Sequence, residues 1–158
     1  MIEIRQATLA DAQLIFDFIV ELAVYENARH EVVTSVAEIA ENLFGSGAKA
    51  RALICSVDGK PAGYAVYFYN FSTWLGRNGI WLEDVYVSPS YRGSGAGKAL
   101  LRHVAAIAVN ENCGRFEWSV LDWNTPAIEF YEALGAKPLD EWIIYRLTGD
   151  ALRKLASD

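Results

Sequence analysis

The feature that most constrains this chain is a glycine-rich segment, SPSYRGSGAGKAL, which spans residues 88–100. It follows a strand-like apolar run, IWLEDVYV (80–87), and leads into apolar residues at helical spacing from about Gly95 to Asn110. Glycines at such a junction let main-chain N–H groups approach a phosphate, and the N-terminus of the helix adds partial positive charge. The segment therefore predicts a phosphate-binding turn.

Two common phosphate-binding motifs do not fit this segment. A P-loop, G-x-x-x-x-G-K-[ST], would need a glycine in place of Arg92 and a hydroxyl side chain in place of Ala99. A dinucleotide-binding fingerprint, G-x-G-x-x-G, can begin at Gly93, but its last position falls on Lys98 instead of glycine. The pattern that remains is R-x-x-G-x-G, which begins at Arg92.

Composition and charge limit the class of protein. The 158 residues are 53% hydrophobic and 22% charged, which predicts one folded domain over residues 1–158. The net charge of −6 argues against nucleic acid as the main partner and is compatible with a cationic substrate. No run approaches the roughly 20 apolar residues of a membrane span, so we expect a cytoplasmic protein without a membrane partner. His30 and His103 lack metal-ligand spacing, and no metal is expected.

The hydrophobic pattern predicts elements in the order β α α β β β α β α β, followed by a short helix. Strands are expected at residues 2–6, 51–57, 62–71, 80–87, 115–121 and 141–147. Capping boxes that begin at Thr8 and Ser35 predict the starts of the first two helices. Asn124 or Thr125 is expected to cap the fourth helix, and Asp150 the last. This order predicts a mixed α/β sheet in one domain.

A second motif lies downstream of the glycine-rich segment. The segment DWNTPAIEFYEALGA (122–136) fits the pattern N-x-x-[AS]-x-x-[FL]-Y-x-x-x-G from Asn124 to Gly135. Together with R-x-x-G-x-G, it resembles the two signatures of the GCN5-related N-acetyltransferase (GNAT) superfamily. The resemblance implies the acyl-CoA N-acyltransferase fold. That fold is of the mixed α/β class, with a central, mostly antiparallel sheet, splayed strands 4 and 5, and flanking helices.

Three stretches resemble the diamine (spermidine/spermine) and thialysine N-acetyltransferase branch of that superfamily. They are ELAVYE (21–26), YFYNFSTWLGRNGIWLEDVYV (67–87) and LDWNTPAIEFY (121–131). The resemblance implies a single N-acetyltransferase domain, residues 1–158, that moves an acetyl group from acetyl-CoA to a primary amine by direct attack in a ternary complex. It also implies a homodimer and a small cationic substrate, such as a diamine, a polyamine, thialysine or a related amino acid.

The resemblance also implies roles for individual residues toward acetyl-CoA. Three groups are implied: Val85, Tyr86 and Val87 along the pantetheine arm; Arg92, Gly93, Ser94, Gly95, Ala96, Gly97 and Lys98 around the pyrophosphate; and Asn124, Thr125, Pro126 and Ala127 on the other side of the pantetheine. Tyr131 is implied as the general acid, because its phenol can donate a proton to the leaving thiolate. A backbone N–H near Val85 would stabilise the oxyanion.

The acceptor site is implied to contain Tyr25, Glu26, Glu83 and Asp84. Of these, Glu83 is favoured as the amine binder and as a base that acts through a water molecule. Glu83 and Asp84 are adjacent on a strand, so they point to opposite faces, and only one can face a given cleft unless a bulge redirects it. A structural salt bridge or exposure at a sheet edge is the alternative for these two carboxylates, and a solvated helix end is the alternative for Tyr25 and Glu26.

Two other functions fit the same motifs. One is acetylation of protein N-termini or lysines, which would need an open peptide groove; the other is a CoA-binding or dimerisation module without activity. The segment after Gly135, AKPLDEWIIYRL, is shorter than the polyamine enzymes lead us to expect, so Asp140 and Glu141 can be assigned to the acceptor only loosely. This departure favours thialysine or another short amine over a long polyamine.

Overall fold

The computed structural model describes residues 1–157 and divides the chain into two units, Met1–Ser119 and a second unit that begins at Val120. The first unit contains a five-stranded sheet in the order β1-β2-β3-β4-β5. Its strands are β1 (Ile2–Gln6), β2 (Ala50–Val57), β3 (Lys60–Ser72), β4 (Arg77–Val87) and β5 (Phe116–Glu117). All neighbours are antiparallel except β4 and β5, which are parallel. The predicted mixed α/β sheet is therefore confirmed.

The strands β4 and β5 diverge soon after they meet. They pair at only two positions, Ile80 with Phe116 and Trp81 with Glu117. β4 then continues to Val87, whereas β5 ends at Glu117. Within residues 1–157, the main chain of β4 beyond Trp81 has no strand neighbour on its β5 side. This divergence agrees with the predicted splay of strands 4 and 5.

Helices cover both faces of the sheet. They are α1 (Ala12–Tyr25), α2 (Val36–Phe44) and α3 (Ala96–Asn110). On one face, Phe18 of α1 packs with the even-numbered residues Ile54 and Tyr64, and α2 adds apolar side chains to the same cluster. α3 packs across β1 to β4, and its Gly97 lies beside Val87 on the odd-numbered face. Double coverage explains why β2 and β3 contain continuous buried apolar runs instead of alternating patterns.

Short-range signals place the helix ends and the first hairpin. The predicted box at Thr8 is present, because its N–H donates to the Asp11 carboxylate at 2.7 Å ahead of α1. Ser35 caps α2, and its side chain accepts from the Glu38 N–H. The β2–β3 hairpin turns at Asp58 with a φ of 49°, followed by a glycine with a φ of 75°, which fits a turn that needs two left-handed residues.

Within the second unit, residues 120–157 contain two helices, α4 (Thr125–Ala133) and α5 (Gly149–Ser157). Asn124 is the N-cap residue of α4, as predicted, and its carbonyl accepts from the Ala127 and Ile128 N–H groups. α4 ends before Gly135, whose φ of 91° suits a left-handed residue after a helix. No described helix is both long and apolar enough to cross a membrane.

Three predictions about the last third of the chain are wrong. The strand predicted at 115–121 is reduced to Phe116–Glu117, and the segment predicted as a strand at 141–147 has no regular structure. A strand needs main-chain partners, and the β-branched and aromatic composition of the 141–147 segment cannot supply them by itself. Asp150 does not cap α5 but lies within its first turn, because the helix already begins at Gly149.

Candidate functional site

The glycine-rich segment forms a tight connection between β4 and α3. After Val87, the Ser88 N–H donates to the Ala62 carbonyl at 2.9 Å, which ties the start of the turn to β3. The main chain then passes through Gly93 and Gly95, whose φ angles are 80° and 92°. These angles lie in the left-handed region, which glycine adopts at little cost. The two glycines therefore allow the chain to reverse and enter α3 directly.

The start of α3 presents main-chain donors, as the predicted pyrophosphate site requires. The first N–H with an acceptor inside the helix is that of Ala99, which donates to the Gly95 carbonyl at 3.0 Å. The N–H groups of Gly97 and Lys98 precede it, so they have no acceptor within the helix. Ser94 reaches the Ala96 N–H only through a long contact of 3.4 Å. This set of donors at a helix N-terminus fits a phosphate group.

Arg92 connects the glycine-rich segment with the end of α1. Its guanidinium carbon lies 4.8 Å from the centre of the Tyr25 ring and 5.8 Å from that of Tyr86. Its Nε–H donates to the Val87 carbonyl at 3.2 Å. The two distances from the guanidinium carbon to the ring centres are in the range of cation–π interactions. The structure thus brings a residue predicted for the donor together with Tyr25, a residue predicted for the acceptor.

An open pocket of about 440 Å³ lies between α1 and the segment that follows β4. Its lining residues are Val20, Glu21, Val24, Tyr25, Tyr86, Pro89 and Arg92. The Ser88 hydroxyl, in the segment after β4, donates a hydrogen bond to the Glu21 carboxylate of α1 at 2.7 Å and so connects the two sides of the pocket. The pocket therefore adjoins both the predicted donor loop and the predicted acceptor wall.

A β-bulge in β4 lies where the sequence has two adjacent carboxylates. Val66 of β3 is opposite Asp84, but the next residue, Tyr67, is opposite Leu82, so Glu83 is the extra residue. Residues that are directly opposite in an antiparallel pair project on the same face of the sheet. Asp84 therefore projects on the α1 face with Val66, and Leu82 projects on the α3 face with Tyr67.

The bulge brings Glu83 to the same face as Asp84. Trp81 is opposite Phe68, an even-numbered residue of β3, and so it projects on the α1 face. The Trp81 indole Nε1–H donates to the Glu83 carboxylate at 3.0 Å, which holds Glu83 on that side. Sequence reasoning allowed only one of the two carboxylates to face a cleft unless a bulge was present. The structure contains that bulge, and both face α1.

Asp84 is half-buried and is held by a hydrogen bond from the adjacent strand. The Tyr64 hydroxyl donates to its Oδ2 atom at 2.7 Å. Burial raises the pKa of Asp84, the hydrogen bond from Tyr64 acts to lower it, and the charge of Glu83 adds to the increase. Glu26, the residue that follows α1, is also half-buried, and burial together with the charge of Asp84 raises its pKa. Glu26, Glu83 and Asp84 thus form a cluster of negative charge on the α1 face of β4.

The remaining predicted residues belong to the second unit. Asn124 is buried, and Thr125, Pro126 and Ala127 form the first turn of α4. Tyr131 is half-buried on α4, and its ring centre lies 5.6 Å from that of Phe130. Their roles toward pantetheine and the leaving thiolate stay predictions.

Sequence reasoning did not identify Tyr64. A signal was present, because Tyr64 stands within the apolar run of β3, where a buried phenol needs a hydrogen-bond partner. The partner could not be named, since it depends on the pairing of β3 with the bulged β4.

A splayed mixed sheet, followed by an R-x-x-G-x-G connection that enters a helix, defines an acyltransferase of the GNAT type. The profile of the "Acetyltransferase (GNAT) family" matches residues 17–136. This chain therefore belongs to the GNAT family and is an N-acetyltransferase by class.

Individual relatives agree with the predicted branch. The mouse (Mus musculus) thialysine N-epsilon-acetyltransferase is 38% identical over 97% of this chain and 96% of its own length. The human (Homo sapiens) spermidine/spermine N(1)-acetyltransferase-like protein 1 is 30% identical over 98% of this chain, which corresponds to 24% of that longer protein. Among solved structures, an integron cassette protein of V. cholerae superimposes with a TM-score of 0.82 at 29% identity and covers 99% of this chain and 98% of its own.

Proposed function

We propose that this protein transfers an acetyl group from acetyl-CoA to the primary amine of a small cationic substrate. The observation that carries the proposal is the carboxylate cluster of Glu26, Glu83 and Asp84, which the bulge in β4 assembles on one face of the sheet. Glu26 and Asp84 are half-buried, and carboxylates in such a site are costly unless a cation compensates them. An ammonium group supplies that charge.

We further propose that the acceptor is short, such as thialysine or a related diamino acid. Two observations support this. The chain is more similar to the thialysine enzyme than to the spermidine/spermine-like protein, at 38% against 30% identity. The segment after Gly135 is also shorter than the resemblance to the polyamine enzymes leads us to expect. A long polyamine and a lysine in a peptide are the alternatives to be tested.

Each step of the proposed reaction would use a different side chain or main-chain group. Glu83, which is exposed at the bulge, would remove the proton of the ammonium group through a water molecule, because only the neutral amine attacks a thioester. A main-chain N–H of β4 near Val85, on the side from which β5 has diverged, would donate to the developing oxyanion. The N–H groups at the start of α3 would hold the pyrophosphate. Tyr131 would protonate the thiolate.

The proposal is tested by measuring thiol release from acetyl-CoA with thialysine, lysine, ornithine, putrescine, spermidine and a lysine-containing peptide. We expect the highest kcat/KM with a short diamino acid. Glu83→Gln should lower kcat/KM at least about 100-fold, and Tyr131→Phe should lower kcat by a similar factor with little change in the KM for acetyl-CoA. Glu41→Gln on the exposed face of α2, and Tyr145→Phe at an exposed site, serve as matched controls that should retain activity.

Binding of CoA without turnover of any small amine would overturn the proposal. A preference for the peptide would replace it with protein acetylation. The homodimer and cytoplasmic location that the resemblance implies are further proposals, and light scattering of the purified protein tests the first.

A further inference from the structure

We propose that Tyr64 is a positioning residue for amine recognition: its buried hydroxyl holds the Asp84 carboxylate, at the edge of the bulge, in the orientation that receives the cationic acceptor. The inference rests on the proposed function, because it names the residue that prepares the acceptor carboxylates. It gives a role to a side chain for which neither sequence motif accounts.

The geometry fixes the direction of the Tyr64 hydroxyl. The side chain is fully buried on β3, with 0% exposure, and its hydroxyl donates to Asp84 at 2.7 Å. Its ring stacks on Phe18 of α1, with a centroid distance of 5.6 Å and an interplanar angle of 11°. Phe18 also contacts the Tyr86 ring. A phenol clamped between a helix and a sheet has few alternative rotamers, so it can hold a carboxylate in one orientation.

The charges around Asp84 explain why a neutral donor is needed there. Tyr64 faces it from β3, Glu83 is adjacent on β4, Glu26 faces it from the end of α1, and Tyr86 is the further titratable group beside Tyr64. Burial and the charge of Glu83 raise the pKa of Asp84, whereas the hydrogen bond from Tyr64 acts to lower it and so favours the carboxylate.

The type of donor matters for recognition of a cation. An arginine or lysine at position 64 would neutralise Asp84 and would compete with the amine for it. A phenol stabilises the carboxylate but leaves its negative charge available to the substrate. Tyr64 therefore supports the orientation and the ionisation of Asp84 without contacting the substrate.

The first experiment is Tyr64→Phe, which removes one oxygen atom and leaves the stacked ring in place. We expect the KM for the amine to rise about tenfold, the order of effect of one hydrogen bond to a charged group, while kcat and the KM for acetyl-CoA stay within about twofold. The acidic limb of the pH profile of kcat/KM for the amine should move to higher pH, because Asp84 loses the donor that favours its ionised form.

Tyr67→Phe is the matched control. Tyr67 is also fully buried on β3, at 0% exposure, but it projects on the α3 face, and its hydroxyl accepts a long hydrogen bond of 3.5 Å from the Gln6 side chain. The same atom is deleted, so a general effect of losing a buried hydroxyl would appear in both variants. We expect the pH profile and the amine KM of Tyr67→Phe to match those of the wild type.

A second variant avoids the risk that Tyr64→Phe does not fold. Incorporation of 3-fluorotyrosine at position 64 retains the hydroxyl and makes it a stronger donor, so the acidic limb should move in the opposite direction, to lower pH. In an Asp84→Asn background, Tyr64→Phe should cause no further rise in the amine KM, because the carboxylate that Tyr64 orients is gone.

An unchanged amine KM and pH profile in folded Tyr64→Phe would overturn the inference, as would equal effects of Tyr64→Phe in the wild-type and Asp84→Asn backgrounds. Failure of the proposed function is a different result, because the wild-type enzyme would then turn over no small amine at all.

Discussion

Two glycines at the start of α3 should respond to alanine in opposite ways. Gly95 has a φ of 92°, and a Cβ added there would meet only the Ile2 Cδ1 atom, at 3.7 Å. Since that distance is ordinary contact, the cost of Gly95→Ala is backbone strain, about 1–2 kcal/mol. Gly97 lies in the first turn of the helix, and its Cβ would lie 3.8 Å from the Val87 Cγ2 atom. Alanine fits there and should stabilise the folded protein by about 0.4–1 kcal/mol, because it lowers the conformational entropy of the unfolded chain.

Thermal unfolding followed by circular dichroism measures both effects. A change of about 1 kcal/mol shifts the Tm of a chain of this size by about 2–4 °C. Gly95→Ala should therefore lower the Tm by about 2–8 °C, and Gly97→Ala should raise it by about 1–4 °C. The KM for acetyl-CoA should rise in Gly95→Ala, because the strained turn redirects the N–H groups that follow it, and should change little in Gly97→Ala.

The outcome distinguishes two explanations of the loop. Equal losses of Tm in both variants would mean that crowding, and not the left-handed conformation, requires glycine in this segment. An unchanged Tm in Gly95→Ala would show that residue 95 does not adopt a φ of 92° in solution.

Two further predictions concern the stability of the first unit. The hydrogen bonds from Arg5, assisted by Thr8, lower the pKa of Asp11 from 3.8 to about 2. The ionised Asp11 should therefore stabilise the folded protein fully above about pH 4, and this contribution should be lost as the pH falls toward 2. Urea unfolding should show that the free energy of unfolding falls by about 1–2 kcal/mol between pH 6 and pH 2, a value lowered to allow for solvent screening of the half-exposed Arg5. Asp11→Asn should make the free energy of unfolding less dependent on pH, and an equally steep dependence in that variant would contradict the prediction. Gly63→Ala should destabilise the folded protein by about 1–3 kcal/mol, because its Cβ would lie 2.2 Å from the main-chain oxygen of Tyr86. A Tm equal to that of the wild type would show that β3 and β4 can move apart at this point without cost.

The conformation of the turn before α3 and the ends of α4 were predictable from the sequence because local residue types encode them. Gly93 and Gly95 occupy the left-handed positions of the turn, and Asn124 and Gly135 begin and follow α4 as predicted. Each of these features depends on the conformation of one or two residues. A single chain segment therefore contains the information, and motif reasoning recovers it.

The 141–147 segment shows the opposite case. Its aromatic and β-branched residues fit a strand, but a strand forms only if another segment supplies hydrogen-bond partners, and composition does not reveal whether one does. The short β5 has the same explanation, since it pairs with β4 at only two positions.

The arrangement of the predicted acceptor carboxylates depends on strand register, which no local pattern around Glu83 reveals. Packing on the two faces of the sheet requires the bulge. Leu82 is buried on the α3 face, whereas Tyr86 is buried on the α1 face and contacts Phe18. With strict alternation, residues 82 and 86 would project on the same face of the sheet. Leu82 can pack on the α3 face and Tyr86 on the α1 face only if one extra residue lies between them. Glu83 is that residue, and its insertion places two adjacent carboxylates on one side. The negative charge to which we attribute the proposed preference for a cationic acceptor is thus a consequence of how β3 and β4 fill both cores. The sequence motifs therefore predict the glycine-rich turn more readily than the position of these carboxylates.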